Sequence, residues 1–76
     1  MNMSVRLYTV SEVWADTAEV FKTQNAISAV RVYNVHARRY DRPELTVKDI
    51  ETARYGISWT GKYIGVDVEL HISFEG

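Results

Sequence analysis

The sequence predicts a small α+β domain, an antiparallel sheet of four to five strands with one helix packed on one face. Three observations carry that prediction. Ile64, Val66, Val68, Leu70, Ile72 and Phe74 alternate without a miss with Gly65, Asp67, Glu69, His71 and Ser73, the pattern of a strand with one buried and one wet face. The stretch VRLYTVSEVW near the start is rich in β-branched and aromatic residues, which suit a pleated, half-buried surface. Ala26, Val30, Tyr33, Ala37 and Tyr40 recur at spacings of 4, 3, 4 and 3, which is one face of a helix.

Taken in order, VRLYTVSEVW and AEVFKT form a first hairpin, with Asp16-Thr17 in or near its turn. Asn25 then serves as the N-cap of AISAVRVYNVHARRY. Part of this segment, AVRVYNV, also alternates and is β-branched, so local propensity does not decide it. The helical face persists through Ala37 and Tyr40, which favours the helix, and Pro43 ends it. Residues 44–56 admit two readings. As a strand, Leu45 and Val47 share a face and a turn follows near Ala53-Arg54; as a short helix, Thr46 caps, Asp49 follows three residues on, and Gly56 stops it. Ile57-Ser58-Trp59 and Tyr63 flank Thr60-Gly61-Lys62, a hairpin signal that leads into the final strand. The order is hairpin, helix, then two or three strands. One helix on one sheet buries both apolar stripes.

The chain has 76 residues, one compact domain over residues 1–76. A domain of that size buries roughly 60% of the surface its unfolded chain exposes, so its core is thin. Hydrophobic residues at 46% and charged residues at 25% exclude a disordered tail. There is no cysteine, which excludes disulfides, thiolate metal sites and thiol chemistry. The start MNMSVRLYTV lacks the pattern of a secretory signal. No apolar run approaches the ~20 residues of a membrane span. These features point to the cytoplasm and away from a membrane.

No catalytic, metal-binding or cofactor-binding pattern is visible. His36 and His71 are the only histidines and lie on different elements. Gly56, Gly61 and Gly65 match neither phosphate-binding nor dinucleotide-binding spacing. Asp67 and Glu69 share one strand face, which reads as a solvated surface that discourages edge pairing rather than as an acid/base pair.

Charge is the uneven feature. The formal net charge is -1, yet four of the nine Lys/Arg (Arg31, Arg38, Arg39 and Arg42) lie within residues 31–42. Cations near a helix C-terminus meet the macrodipole favourably, at about 0.3–1 kcal/mol each. Four exceed what that role needs. Arginine also suits bidentate contact with carboxylate or phosphate, and Tyr40 among them adds a ring that can stack. The cluster Arg31, Arg38, Arg39, Tyr40 and Arg42 is therefore the expected partner-binding surface. A protein partner is favoured over nucleic acid, because nucleic-acid binders are usually more basic overall. Asp67, Glu69 and Glu75 form a second, acidic surface.

The layout resembles small phage anti-CRISPR proteins that act on type I CRISPR surveillance complexes. The positions that carry the resemblance are YTVSEV (Tyr8 through Val13), NAISA (Asn25 through Ala29), Thr46-Val47 with Ile50-Glu51-Thr52, and Gly56, Trp59, Gly61-Lys62 and Val66-Asp67. Their order fits over most of the chain and favours the strand over the helix for residues 45–51, giving a ββαβββ-like order. What the resemblance implies is a non-enzymatic inhibitor in the cytoplasm of a bacterial host cell. It would bind a Cas protein subunit of the type I interference complex and block target DNA binding or nuclease recruitment. The alternative is a small nucleic-acid-binding phage or plasmid regulator using the Arg31–Arg42 cluster. In either case a monomer or weak homo-oligomer is expected.

Overall fold

The computed structural model describes residues 6–76, so Val5, counted above with the first strand, lies outside the described residues. Six elements follow in order: β1 (Leu7–Trp14), β2 (Thr17–Thr23), α1 (Ala26–Arg39), α2 (Val47–Thr52), β3 (Ile57–Tyr63) and β4 (Val66–Glu75). The strands form one antiparallel sheet in the order β2-β1-β4-β3. The first and last strands are therefore central, and the α+β class is as the sequence predicts.

Register follows from the alternation. Tyr8, Val10, Glu12 and Trp14 stand opposite Phe74, Ile72, Leu70 and Val68. These eight residues share the face on which α1 lays Ala29, Val30, Tyr33 and Ala37. Val68, Leu70, Ile72 and Ile50 are fully buried there. The other face carries Ser11, Val13, Asp67, Glu69, His71 and Ser73 and has no helix over it.

The caps of α1 are legible in its sequence. Asn25 Oδ1 accepts the Ser28 N–H at 3.0 Å. At the other end the Arg42 N–H reaches Ala37 O at 2.7 Å and the Asp41 N–H reaches Arg38 O at 3.2 Å. That is a Schellman closure, with Asp41 at φ 57° where glycine is the usual residue.

Two expectations are corrected. Residues 45–51 form no strand; Val47–Thr52 is the short helix α2, and the sheet has four strands. A capping box decides it: Thr46 Oγ1 accepts the Asp49 N–H at 3.3 Å, and Asp49 Oδ2 accepts the Thr46 N–H at 2.8 Å. A strand with Leu45 and Val47 facing inward would turn Ile50 outward, whereas the helix buries Ile50 completely. The second hairpin also turns later than expected. Thr60-Gly61-Lys62 lies within β3, and the turn is Ile64-Gly65. Gly61 serves packing instead of turning: a Cβ there would sit 2.5 Å from Trp59 Cζ2, so the indole occupies the space a side chain would need. In the first hairpin the turn is Ala15-Asp16 and Thr17 opens β2, so Asp16-Thr17 lie in and next to the turn as expected.

Ile64 and Gly65 both have positive φ, 51° and 74°, as a type I′ turn requires. A β-branched residue pays heavily for that conformation, and Ile64 is 75% exposed, so packing returns little. Ile64→Asn is therefore expected to stabilise the fold by about 1 kcal/mol, raising Tm by about 4–8 °C in thermal denaturation. A fall in Tm would mean that the Ile64 side chain contributes more than its backbone costs.

Candidate protein-binding surface

The fold buries Tyr40 of the predicted cluster and leaves its four arginines exposed, two of them lying against other side chains. Tyr40, the C-cap of α1, is only 7% exposed. Its O–H donates to Glu12 Oε2, and its ring packs 5.6 Å from Trp59 and 5.1 Å from Tyr63, centroid to centroid. Arg39 Nη1 reaches the same Glu12 oxygen at 3.3 Å. Arg42 lies over the Trp59 ring, 5.2 Å from its centroid. Arg38 leans on Glu44 at 3.1 Å, an exposed pair of the kind worth little. Arg31 has no ion-pair partner among the described residues.

Glu12 explains the contacts of Tyr40 and Arg39. It occupies the core-facing phase of β1 and is 6% exposed. A buried carboxylate needs charged or hydrogen-bonding partners to offset its lost hydration. The last turn of α1 and its cap supply them as Arg39 and Tyr40. His36 Nδ1 lies 3.0 Å from the same oxygen but without hydrogen-bond geometry, and it has no other partner. Glu12 thus ties the helix terminus to the centre of the sheet. Burial first, and then the hydrogen bond and charge of Glu12, push the Tyr40 phenol up from 10.0 to about 12, against an opposing pull from Arg39. Burial also raises the Tyr33 phenol, and the Arg42 charge acts against it.

An exposed stripe runs along α1. Ile27, Arg31, Val35 and Arg38 are exposed and recur at helical spacing. Val35 projects directly away from the buried face of Ala29, Val30, Tyr33 and Ala37. Ile27 is 57% and Val35 51% exposed. Asn34 beside them is taken up internally: its Nδ2 donates to Leu45 O at 2.9 Å and its Oδ1 accepts the Leu45 N–H at 2.8 Å. This pair holds the α1–α2 connection against the helix. The stripe therefore combines two apolar side chains with two arginines on a rigid element.

The acidic surface lies on the helix-free face of the sheet. Asp67 pairs with Lys62 at 2.8 Å, and Glu69 Oε1 lies 3.3 Å from His71 Nε2. Glu75 stands at the far end of β4, opposite Leu7. The three acids do not converge. No helix among the described residues is long and apolar enough to cross a membrane.

Sequence reasoning missed Glu12, Glu19 and His36, which the fold brings together between α1 and β2. One signal for Glu12 existed: it interrupts the phase of Tyr8, Val10 and Trp14 with a charge. Nothing local marks His36 or Glu19, because their proximity depends on how the helix crosses the sheet.

Tyr40 makes stability sensitive to alkali. The unfolded phenol loses its proton near pH 10 and the folded one near 12. This contribution is complete below pH 10 and is lost as pH rises to 12, on the order of 3 kcal/mol at about 1.4 kcal/mol per unit. The urea midpoint is expected to fall across that window. Tyr40→Phe is expected to cost about 1–3 kcal/mol at pH 8, because a buried carboxylate loses a donor, and to flatten the alkaline fall. An equally steep fall in Tyr40→Phe would assign the alkaline sensitivity to another group.

Comparison of the chain with family models, with curated proteins and with solved structures gives no match.

Proposed function

We propose that this chain acts by binding a protein partner, without catalysis, through the outward stripe of α1. One observation carries the reading: Ile27, Arg31, Val35 and Arg38 form a continuous exposed ridge opposite the buried face of the helix. Arginine interleaved with apolar side chains is the composition of interface hot spots. The partner that fits is a protein surface with an apolar groove flanked by carboxylates, since Arg31 and Arg38 can each reach an acid while Ile27 and Val35 enter the groove.

The resemblance of the layout to small phage anti-CRISPR proteins narrows the proposal. The partner is then a Cas protein subunit of a type I interference complex, and binding blocks target DNA hybridisation or nuclease recruitment. The ββα start and the last two strands support that reading, whereas α2 departs from the ββαβββ-like layout. The helix is preferred to the acidic sheet face, where Asp67 is already paired with Lys62. A protein is preferred to nucleic acid because Arg39 and Arg42 lie against Glu12 and Trp59, which leaves only Arg31 and Arg38 of the cluster facing outward beside apolar side chains.

Affinity capture of the tagged protein from a lysate carrying active type I systems, with and without nuclease treatment, tests the proposal. Cas subunits are expected in both halves. The double variant Arg31→Glu with Arg38→Glu is expected to keep its far-UV circular dichroism spectrum and lose capture by at least tenfold, because both side chains are exposed. Undiminished capture by the folded double variant would remove the helix stripe as the site. Recovery of nucleic acid alone, lost on nuclease treatment, would replace the inhibitor reading with the regulator reading.

A further inference from the structure

A cleft of about 360 Å³ opens between α1 and the edge strand β2, lined by Val10, Glu19, Val20, Phe21, Val32 and His36. Glu12, Glu19 and His36 each bring one potential ligand atom to within 4.8 Å of the others. Three independent features mark this place as incomplete. Glu12 and Glu19 stand directly opposite each other in the β1–β2 ladder, and like charges so placed repel. His36 Nδ1 is buried 3.0 Å from Glu12 Oε2 but without hydrogen-bond geometry to it or to any other described group, and a buried polar atom so placed calls for a partner. Glu19 has no cation within ion-pair distance among the described residues.

The support for a ligand is already in place. Glu12 Oε2 takes the Tyr40 O–H and Arg39, while Glu12 Oε1 takes no hydrogen bond from a side chain among the described residues. Outer hydrogen bonds of this kind orient a metal-ligating carboxylate. Arg39 offsets the charge of Glu12 alone, so Glu19 leaves the cluster negative.

We propose that Glu12, Glu19 and His36 bind one divalent cation of the borderline class, Zn²⁺ or Co²⁺, with water completing the coordination. One imidazole nitrogen and two carboxylate oxygens suit that class better than Mg²⁺, which prefers oxygen alone. Donors around tetrahedral Zn²⁺ stand ~3.3 Å apart at bond lengths of ~2.0–2.2 Å, so the cluster must tighten on binding. Glu19, exposed on an edge strand, can supply that movement by changing rotamer. The cation would clamp the end of α1 to β2, an edge strand of the sheet.

Calorimetric titration of ZnCl₂ into the chelator-free protein at pH 7 tests this, with Tm followed in parallel and the visible absorption of Co²⁺ as a report of coordination. One site is expected, with a rise in Tm on saturation. Glu19→Gln and His36→Gln are each expected to weaken binding at least tenfold and to remove the rise in Tm. Glu19→Gln lies on an exposed strand and is the variant to rely on if His36→Gln folds poorly. His71→Gln is expected to bind as the parent does, since His71 with Glu69 on the other face is the competing imidazole–carboxylate contact. No heat and no change in Tm, unchanged affinity in Glu19→Gln, or loss of binding only in His71→Gln would each overturn the proposal.

Discussion

One helix has to close the face of a four-stranded sheet, and it is too narrow to do so. Strands lie about 4.8 Å apart, so four of them present more width than the ~10 Å of a helix with its side chains. α1 settles over β1 and β4 and reaches β2. Each flank is then completed differently. Over β3 the gap is filled by large rings, Trp59 and Tyr63 from the strand itself and Tyr40 from the helix cap, with Trp14 donating its indole N–H to Tyr63 O at 3.1 Å. Over β2 the gap stays open as the cleft that holds Glu19 and His36.

The same shortage of cover explains why a carboxylate sits at the centre of the sheet. Glu12 lies where the helix ends, so its charge meets the cationic last turn rather than a wall of aliphatic side chains. Arg39 and Tyr40 are spent on this contact and Arg42 on the Trp59 ring. A sequence cluster of four exposed arginines is therefore two things in space: Arg39 and Arg42, held against Glu12 and Trp59, and a freer pair at Arg31 and Arg38.

The strands and α1 were legible because their signals are periodic and long. Val68 through Phe74 alternate, and Val30, Tyr33 and Ala37 keep one helical face. The parts that were misread depend on packing at a distance. Gly61 looks like a turn residue until Trp59 is seen to occupy its side-chain space. The box of Thr46 and Asp49 was visible locally, yet the strand reading rested on a family layout rather than on Ile50, whose burial decides the matter. The division of the arginines was not legible, because it depends on Glu12, far away in sequence and adjacent only once β1 lies under the helix cap.

The pairing of β1 with β4 has a consequence for how the molecule is made. The first and last strands of this sheet in chain order are neighbours at its centre. While a ribosome is still producing β4, the two hairpins cannot join, and Val10 and Tyr8 have no Ile72 or Phe74 to cover them. The nascent chain can form α1 and the β1–β2 ribbon, but isolated two-stranded ribbons are marginal in water. The core closes only when β4 pairs with β1. Until β4 pairs, the apolar face of β1 is open to chaperones or to another copy, and such unpaired strands are prone to aggregate.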